Sequence, residues 1–286
     1  IGMAMNCFTQ KGDKVMIQPP VYHPFAWVTT RNERTLVTNP LKWENGMYRM
    51  DLDTFREQIK GCKLFILCNP HNPGGVVWTE AELRAIADIC YDEKVLVFSD
   101  EIHADLTLPP HTHRPFATVS EKARMNSVTF MSPSKAFNMP GLSASHALIF
   151  NEDLRKRFRI YMDAGELDMG HVFAFLSVEA AYSHGTEWLD QCLAYIQGNI
   201  DFVDDFLKNH APKIKAIRPE ASYLVWLDCR ELKLSQKDLN EFFVDKAHLA
   251  LNDGEMFGKE GIGFMRLNVA SPRCIIEKAM KQLADA

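Results

Sequence analysis

The chain has no apolar run approaching the ~20 residues that carry a helix across a bilayer, so nothing in it reads as a membrane span. It has no excess of positive charge either. Its 32 Lys and Arg against 37 Asp and Glu leave a formal net charge of −5, without the basic footprint of a nucleic-acid binder. There is no CxxC pair, and the 7 cysteines are scattered and odd in number. That usage disfavours a disulfide framework or a zinc ribbon and points to reduced thiols in a cytoplasmic protein. Internal repeats and low-complexity tracts are missing too, which excludes collagen and argues against disorder. The first residues show no initiator Met, no basic stretch and no small-residue cleavage site. Ile1–Phe8 read as the tail of an amphipathic helix already under way, so the expectation is a chain whose natural N-terminal part is missing.

What is present is ordinary for a soluble globular protein: 286 residues, 47% hydrophobic, 24% charged and 10% aromatic, enough for about two domains, one not being excluded, with a sizeable core. Short apolar runs alternate with helical patterns. Lys14–Gln18, Thr35–Thr38, Lys63–Cys68, Val95–Phe98, Ser127–Met131 and Ala147–Phe150 read as strands. Lys63–Cys68 is apolar nearly throughout, as a strand buried on both faces would be. Thr79 and Glu82 form a capping box ahead of Leu83, Ile86, Ala87, Ile89 and Cys90 at helical spacing. Strand–helix repetition of this kind predicts an α/β large domain with a mainly parallel sheet.

From about Asn151 the pattern changes to long helices, Asn151–Met162, His171–Ser183 and Glu187–His210, the last long enough to bridge two domains. Strands Ile214–Arg218, Tyr223–Asp228 and Phe264–Val269, a helix from Ser235 and a terminal helix follow, a smaller α+β unit. Ser271 reads as the N-cap of that terminal helix and Pro272 as its first residue. We therefore expect a large domain over residues 1–186 and a small C-terminal domain over 187–286.

Ligands of open α/β sheets bind at the carboxyl ends of the strands, and three strands here end in polar residues. They lead into Asn69-Pro-His-Asn72-Pro-Gly-Gly75, Ser99-Asp100-Glu101-Ile-His103 and Ser132-Pro-Ser134-Lys135. Taken singly, these are a turn, a helix cap and a surface lysine. Together, a lysine, an aspartate and an asparagine on neighbouring strand ends match the needs of pyridoxal phosphate (PLP): an amine for its aldehyde, a carboxylate for its ring nitrogen and a neutral donor for its ring oxygen.

On these residues the sequence resembles fold-type I PLP enzymes of the class I/II aminotransferase superfamily over essentially its whole length. Ser132-Pro-Ser-Lys135-Ala-Phe-Asn138-Met-Pro-Gly141-Leu142 resembles the segment carrying the Schiff-base lysine, which places Lys135 in that role. The resemblance implies Asp100 as partner of the pyridine nitrogen and Asn72 as donor to the ring hydroxyl. It also implies Tyr22, in Pro-Pro-Val-Tyr-His-Pro-Phe, as the aromatic stacked on the ring, and Arg266, in Phe-Met-Arg-Leu-Asn-Val-Ala, as the fork for the substrate carboxylate. His103 stands where many aminotransferases carry a tyrosine, and Ser143 where aspartate aminotransferases carry a phosphate-binding arginine, which leaves Ser132 and Ser134 for the phosphate. A glycine-rich phosphate loop lies, in the family, upstream of the position of Ile1.

The Asp-Glu-Ile-His and Lys-x-Phe-Asn-x-x-Gly-Leu segments look like the MalY/PatB cystathionine β-lyase branch. The function implied is a carbon–sulfur β-lyase acting on cystathionine- or cysteine-type amino acids and releasing thiol, pyruvate and ammonia. An aminotransferase is the second reading and a non-catalytic scaffold the third. In the first two, Lys135 is also the base that takes the substrate α-proton. A homodimer is implied, because such sites are completed by the partner subunit; no nucleic acid, membrane or metal is expected.

Two unrelated chemistries compete for the same residues. Ser132-x-x-Lys135 fits the Ser-x-x-Lys of penicillin-binding proteins but lacks the companion Ser-Asp-Asn and Lys-Thr-Gly motifs. Asp100, His103, His111 and His113 offer metal-ligand chemistry, with His111 and His113 in a Pro-rich loop that reads more simply as surface. Arg155-Lys156-Arg157 with Arg159 reads as solvated charge on a helix face.

Overall fold

A computed structural model describes all residues, 1–286. Twelve strands are formed: β1 Lys14–Ile17, β2 Thr35–Thr38, β3 Lys42–Glu44, β4 Met47–Arg49, β5 Cys62–Cys68, β6 Leu96–Asp100, β7 Ser127–Met131, β8 His146–Leu148, β9 Lys215–Ile217, β10 Leu224–Asp228, β11 Asn252–Asp253 and β12 Phe264–Asn268. Six make one sheet in the order β2-β1-β5-β6-β7-β8. All neighbours in it are parallel except β7 and β8. The expected mainly parallel α/β sheet is therefore present.

The continuous apolar character of β5 has a direct cause. Its side chains alternate between two faces, and both faces are covered. Phe65 and Leu67 enter a core with helix Glu80–Asp92. Leu64, Ile66 and Cys68 enter another, with the helices Gly2–Phe8 and Pro24–Arg31 supplying Ala4, Met5 and Phe25. Helix Glu80–Asp92 starts at its capping box: Thr79 N–H donates to Glu82 Oε2 at 2.8 Å, and Glu82 N–H to Thr79 Oγ1 at 3.2 Å. Leu83, Ile86, Ala87, Ile89 and Cys90 are its buried residues.

A second, antiparallel sheet runs β11-β12-β10-β9. Helix Thr186–His210 packs its buried stripe Ile196, Ile200, Val203 and Leu207 into the core of this sheet with Ile276, Met280 and Leu283 of the terminal helix. The two sheets also share apolar contacts. Trp226, Phe257 and Phe264 belong to the same core as Phe65 and Leu67, and Trp226 Nε1–H donates to Tyr48 Oη at 3.2 Å.

Two local expectations need correction, and one element was not expected. The terminal helix begins at Arg273, with Pro272 at the capping position and no bond from Ser271 across the first turn. Its start is fixed from outside: Arg273 N–H donates to Tyr195 Oη at 2.6 Å, and the Ser271 carbonyl accepts Asn199 Nδ2–H at 2.9 Å. The hairpin β3–β4 also went unread, although its Asn45-Gly46 corner, with φ of 51° and 80°, carries the strongest short hairpin signal. The basic run is only partly solvated charge: Arg157 caps the Cys7 carbonyl at 2.5 Å and lies 5.3 Å over the Phe8 ring.

Candidate active site

Parallel pairing sets the site. Cys68 at the end of β5 is in register with Asp100 at the end of β6, and Asp100 with Phe130 of β7. The three polar segments identified in the sequence therefore leave the sheet side by side.

After β5 the chain turns sharply through Asn69–Gly75. His71 Nε2 bonds the Pro20 carbonyl at 2.8 Å, Trp78 Nε1–H donates to the Cys68 carbonyl at 2.9 Å, and Asn72 N–H donates to Cys68 Sγ at 3.3 Å. Burial takes His71 down to about 4, so its ring is neutral. Gly75 has φ of 69°, and a Cβ there would lie 2.4 Å from Pro219 Cβ. Only glycine fits the left-handed backbone and the close approach together. Its carbonyl accepts the N–H groups of Glu220 and Ala221 at 2.9 and 3.0 Å, which docks the loop onto the segment leading into β10.

The loop presents Asn72, whose Oδ1 accepts Arg266 Nη1–H at 2.8 Å; the other arm, Nη2, donates to Asn252 Oδ1 at 2.7 Å. The Arg266 guanidinium lies 4.7 Å over the Phe257 ring, and its Nε is buried without a partner. No carboxylate of the chain comes within 4 Å of it. Burial lowers its proton affinity, yet an arginine stays charged.

Asp100 is only 8% exposed, and its Oδ1 accepts the Ile102 N–H at 3.2 Å. Burial pushes its carboxyl up to about 6. His103 is buried with Nδ1 unpartnered. Burial first, then the charges of Lys135 and Arg266, take it down to about 3, so it presents a neutral ring. The Tyr22 phenol is raised mainly by burial and packs edge-on to Phe25. Lys135 follows β7 in a turn closed by Phe137 N–H to the Pro133 carbonyl and Met139 N–H to the Ser134 carbonyl.

Tyr22, Asn72, Asp100, His103, Lys135 and Arg266 line one cavity of about 220 Å³. Lys135, Tyr223 and Asn268 also line an adjoining cavity of about 320 Å³. Ser134 faces that second space. Ser132 lines neither: it is 4% exposed, and its Oγ–H is shared between the Ala144 carbonyl at 2.5 Å and Ser134 Oγ at 2.8 Å. A serine so enclosed and committed is a poor nucleophile. The histidines of the Pro-rich loop also point elsewhere, His113 to Glu101 and His111 toward Glu220.

Sequence reasoning missed Cys68, Tyr223, Asn252 and Asn268. Asn268 was within reach, since it lies two residues beyond Arg266 on one strand and so shares its face. The arrangement combines a primary amine, a buried carboxylate, a neutral imidazole and a half-buried guanidinium around a small volume. It can bond an aldehyde, hold a proton on a basic nitrogen and receive a carboxylate.

Comparison with known proteins agrees with this geometry. A sequence model of the family described as aminotransferase class I and II matches residues 1–283. Cystathionine beta-lyase PatB of Bacillus subtilis is 38% identical over 288 residues, covering 100% of this chain and 74% of the relative. Protein MalY of Escherichia coli is 32% identical, covering 98% and 72%. The crystal structure of cystalysin from Treponema denticola, which contains pyridoxal 5′-phosphate, superposes with a TM-score of 0.96 at 36% identity, covering 99% of this chain and 72% of that one.

Proposed function

This chain belongs to the class I and II aminotransferase family, and from that membership we propose that it is a PLP-dependent carbon–sulfur β-lyase of cystathionine- or cysteine-type amino acids. One observation carries the reading: Asp100 and Arg266, opposite charges with no ion-pair partner in the chain, Arg266 being bonded only to the neutral Asn72 and Asn252 side chains, line the same small cavity as the Lys135 amine. Buried charge without a partner is costly. The pair fits a ligand that brings a protonated ring nitrogen to Asp100 and a carboxylate to Arg266.

Bound there, PLP supplies an aldehyde that condenses with amines and a protonated ring that takes up the electron pair released at the substrate α-carbon. The chain's residues do the rest. Lys135 would hold the cofactor through its amine and would take the substrate α-proton. Asp100 keeps the proton on the ring nitrogen, Tyr22 covers the ring, and Asn72 and the neutral His103 serve its oxygen. Arg266, splayed between Asn72 and Asn252, receives the α-carboxylate with charge-assisted hydrogen bonds. Ser134, with Ser132 behind it, serves the phosphate. Fixing the carboxylate and the ring would set the orientation of the Cα–H bond, and loss of thiolate from Cβ, with uptake of one water to hydrolyse the remaining enamine, would give pyruvate and ammonia.

The same reading includes a homodimer in the cytoplasm. Helix Val172–His184 leaves Val172, Phe173, Phe175 and Leu176 between 56% and 68% exposed, an apolar surface of the kind subunits cover. It also includes a cofactor-binding unit over residues 1–186 and a smaller one over 187–286.

The test is an absorbance spectrum with added PLP, followed by pyruvate and free-thiol assays on cystathionine and S-substituted cysteines. A visible band absent from Lys135→Ala, with pyruvate release, is the expected result. A band with keto-acid exchange but no pyruvate makes the protein an aminotransferase, and no band overturns the reading.

A further inference from the structure

Behind Asp100 lies a buried ionisable pair that the chemistry above does not use. Glu101 follows Asp100 at the end of β6, and its carboxylate side chain is fully buried. Oε1 accepts Ser99 Oγ–H at 2.7 Å and the Phe116 N–H at 2.9 Å. Oε2 accepts His113 Nε2–H at 2.7 Å, with the His113 side chain 10% exposed. The Glu101 N–H itself donates to the Phe130 carbonyl of β7 at 2.8 Å. Asn69 stitches the same region from the other side: its N–H reaches the Asp100 carbonyl at 2.9 Å, and its Nδ2–H the Arg114 carbonyl at 3.1 Å.

We propose that Glu101 and His113 are a positioning pair for Asp100, fixing the strand end that aims its carboxylate at the cofactor's ring nitrogen. The proposal rests on the PLP reading of the cavity. The Asp100 carboxylate takes a single hydrogen bond from the chain, the Ile102 N–H, so its direction follows from the backbone at 100–102. Glu101 is the residue that pins that backbone, to β7 through its N–H and to the 113–116 loop through its carboxylate. Holding a loop does not by itself call for a buried carboxylate bonded to an imidazole, because apolar side chains of similar volume do so as well or better. A fully bonded carboxylate does fix direction. It also sets a negative charge beside Asp100, which favours a cationic partner there.

The experiment compares the affinity of the full chain for PLP with that for its carbocyclic analogue, in which the ring nitrogen is replaced by CH. Protein fluorescence follows both titrations. Wild-type protein should prefer PLP. Glu101→Gln keeps the volume and an acceptor but removes the charge, and His113→Ala removes one of the three bonds. Each should cut the preference about tenfold, the equivalent of roughly 1.4 kcal/mol, chiefly by weakening PLP. His113→Gln, which restores a donor, should recover much of it. Should Glu101→Gln fail to fold, the His113 variants carry the comparison. Equal loss of both affinities, or no loss, in variants of a wild type that shows the preference overturns the positioning role. A wild type with no preference overturns the assignment of Asp100 to the ring nitrogen, and the pair's role with it.

Discussion

Asp100 is held away from water with no cationic side chain within 4 Å, and burial moves its carboxyl from 3.8 to about 6. Between those values the folded chain binds more protons at this group than the unfolded chain. Its contribution to stability is therefore greatest at low pH, falls as pH rises through that window, and stays unfavourable above it. Two pKa steps correspond to about 3 kcal/mol. Asp100→Asn should accordingly stabilise the cofactor-free protein at pH 7.5 by up to about 3 kcal/mol, with the gain gone by pH 4, as read from urea unfolding across pH. A gain independent of pH would mean that burial of the charge is not its source. The same variant should weaken PLP binding, which would place function and stability in opposition at this residue. Asp100, Lys135, Asn72, Tyr22 and Arg266 were all legible in the sequence because each sits in a short motif. That Asp100 and Arg266 have no ion-pair partner was not legible, since it depends on where every other charge in the chain lies.

Elements obey local rules where the deciding contacts are local. The Thr79–Glu82 box closes within four residues, and helix Glu80–Asp92 starts where the sequence puts it. The terminal helix departs from that rule because Tyr195 and Asn199, on another helix, supply its caps. The Asn69–Gly75 loop combines both cases. Its turn residues were evident, but the need for glycine at 75 comes from Pro219, far away in the chain. Gly75→Ala should cost about 3 kcal/mol, from the left-handed backbone together with overpacking. Because the loop carries Asn72, PLP affinity should fall with it. Thermal unfolding and a PLP titration of the variant test this, and a loss under 1 kcal/mol would show that the Pro219 segment yields easily.

At the scale of the molecule, two sheets meet through a shared apolar core and leave one helix poorly covered. Helix Val172–His184 is apolar on several sides while most of its residues are exposed, an arrangement that suits burial against another surface. The proposed homodimer should therefore weaken when Phe173 and Phe175 are both changed to Glu. Sedimentation velocity at micromolar concentration should show a shift from dimer to monomer. Fold stability should change little, because these side chains are 68% and 61% exposed. Unchanged sedimentation would remove this helix from the interface.

The sequence by itself determined the alternation of strands and helices, the parallel character of the main sheet and the polar strand ends. These follow from periodicity, capping and turn chemistry acting over a few residues. Tertiary structure alone decided that Arg266 meets Asn72 across 194 residues and that His113 serves Glu101 rather than a metal. It also decided that Ser132 is enclosed while Ser134 faces open space. These are contacts between side chains on separate elements. They are set by how the layers pack and by the need to satisfy each buried polar group, and no local pattern encodes either.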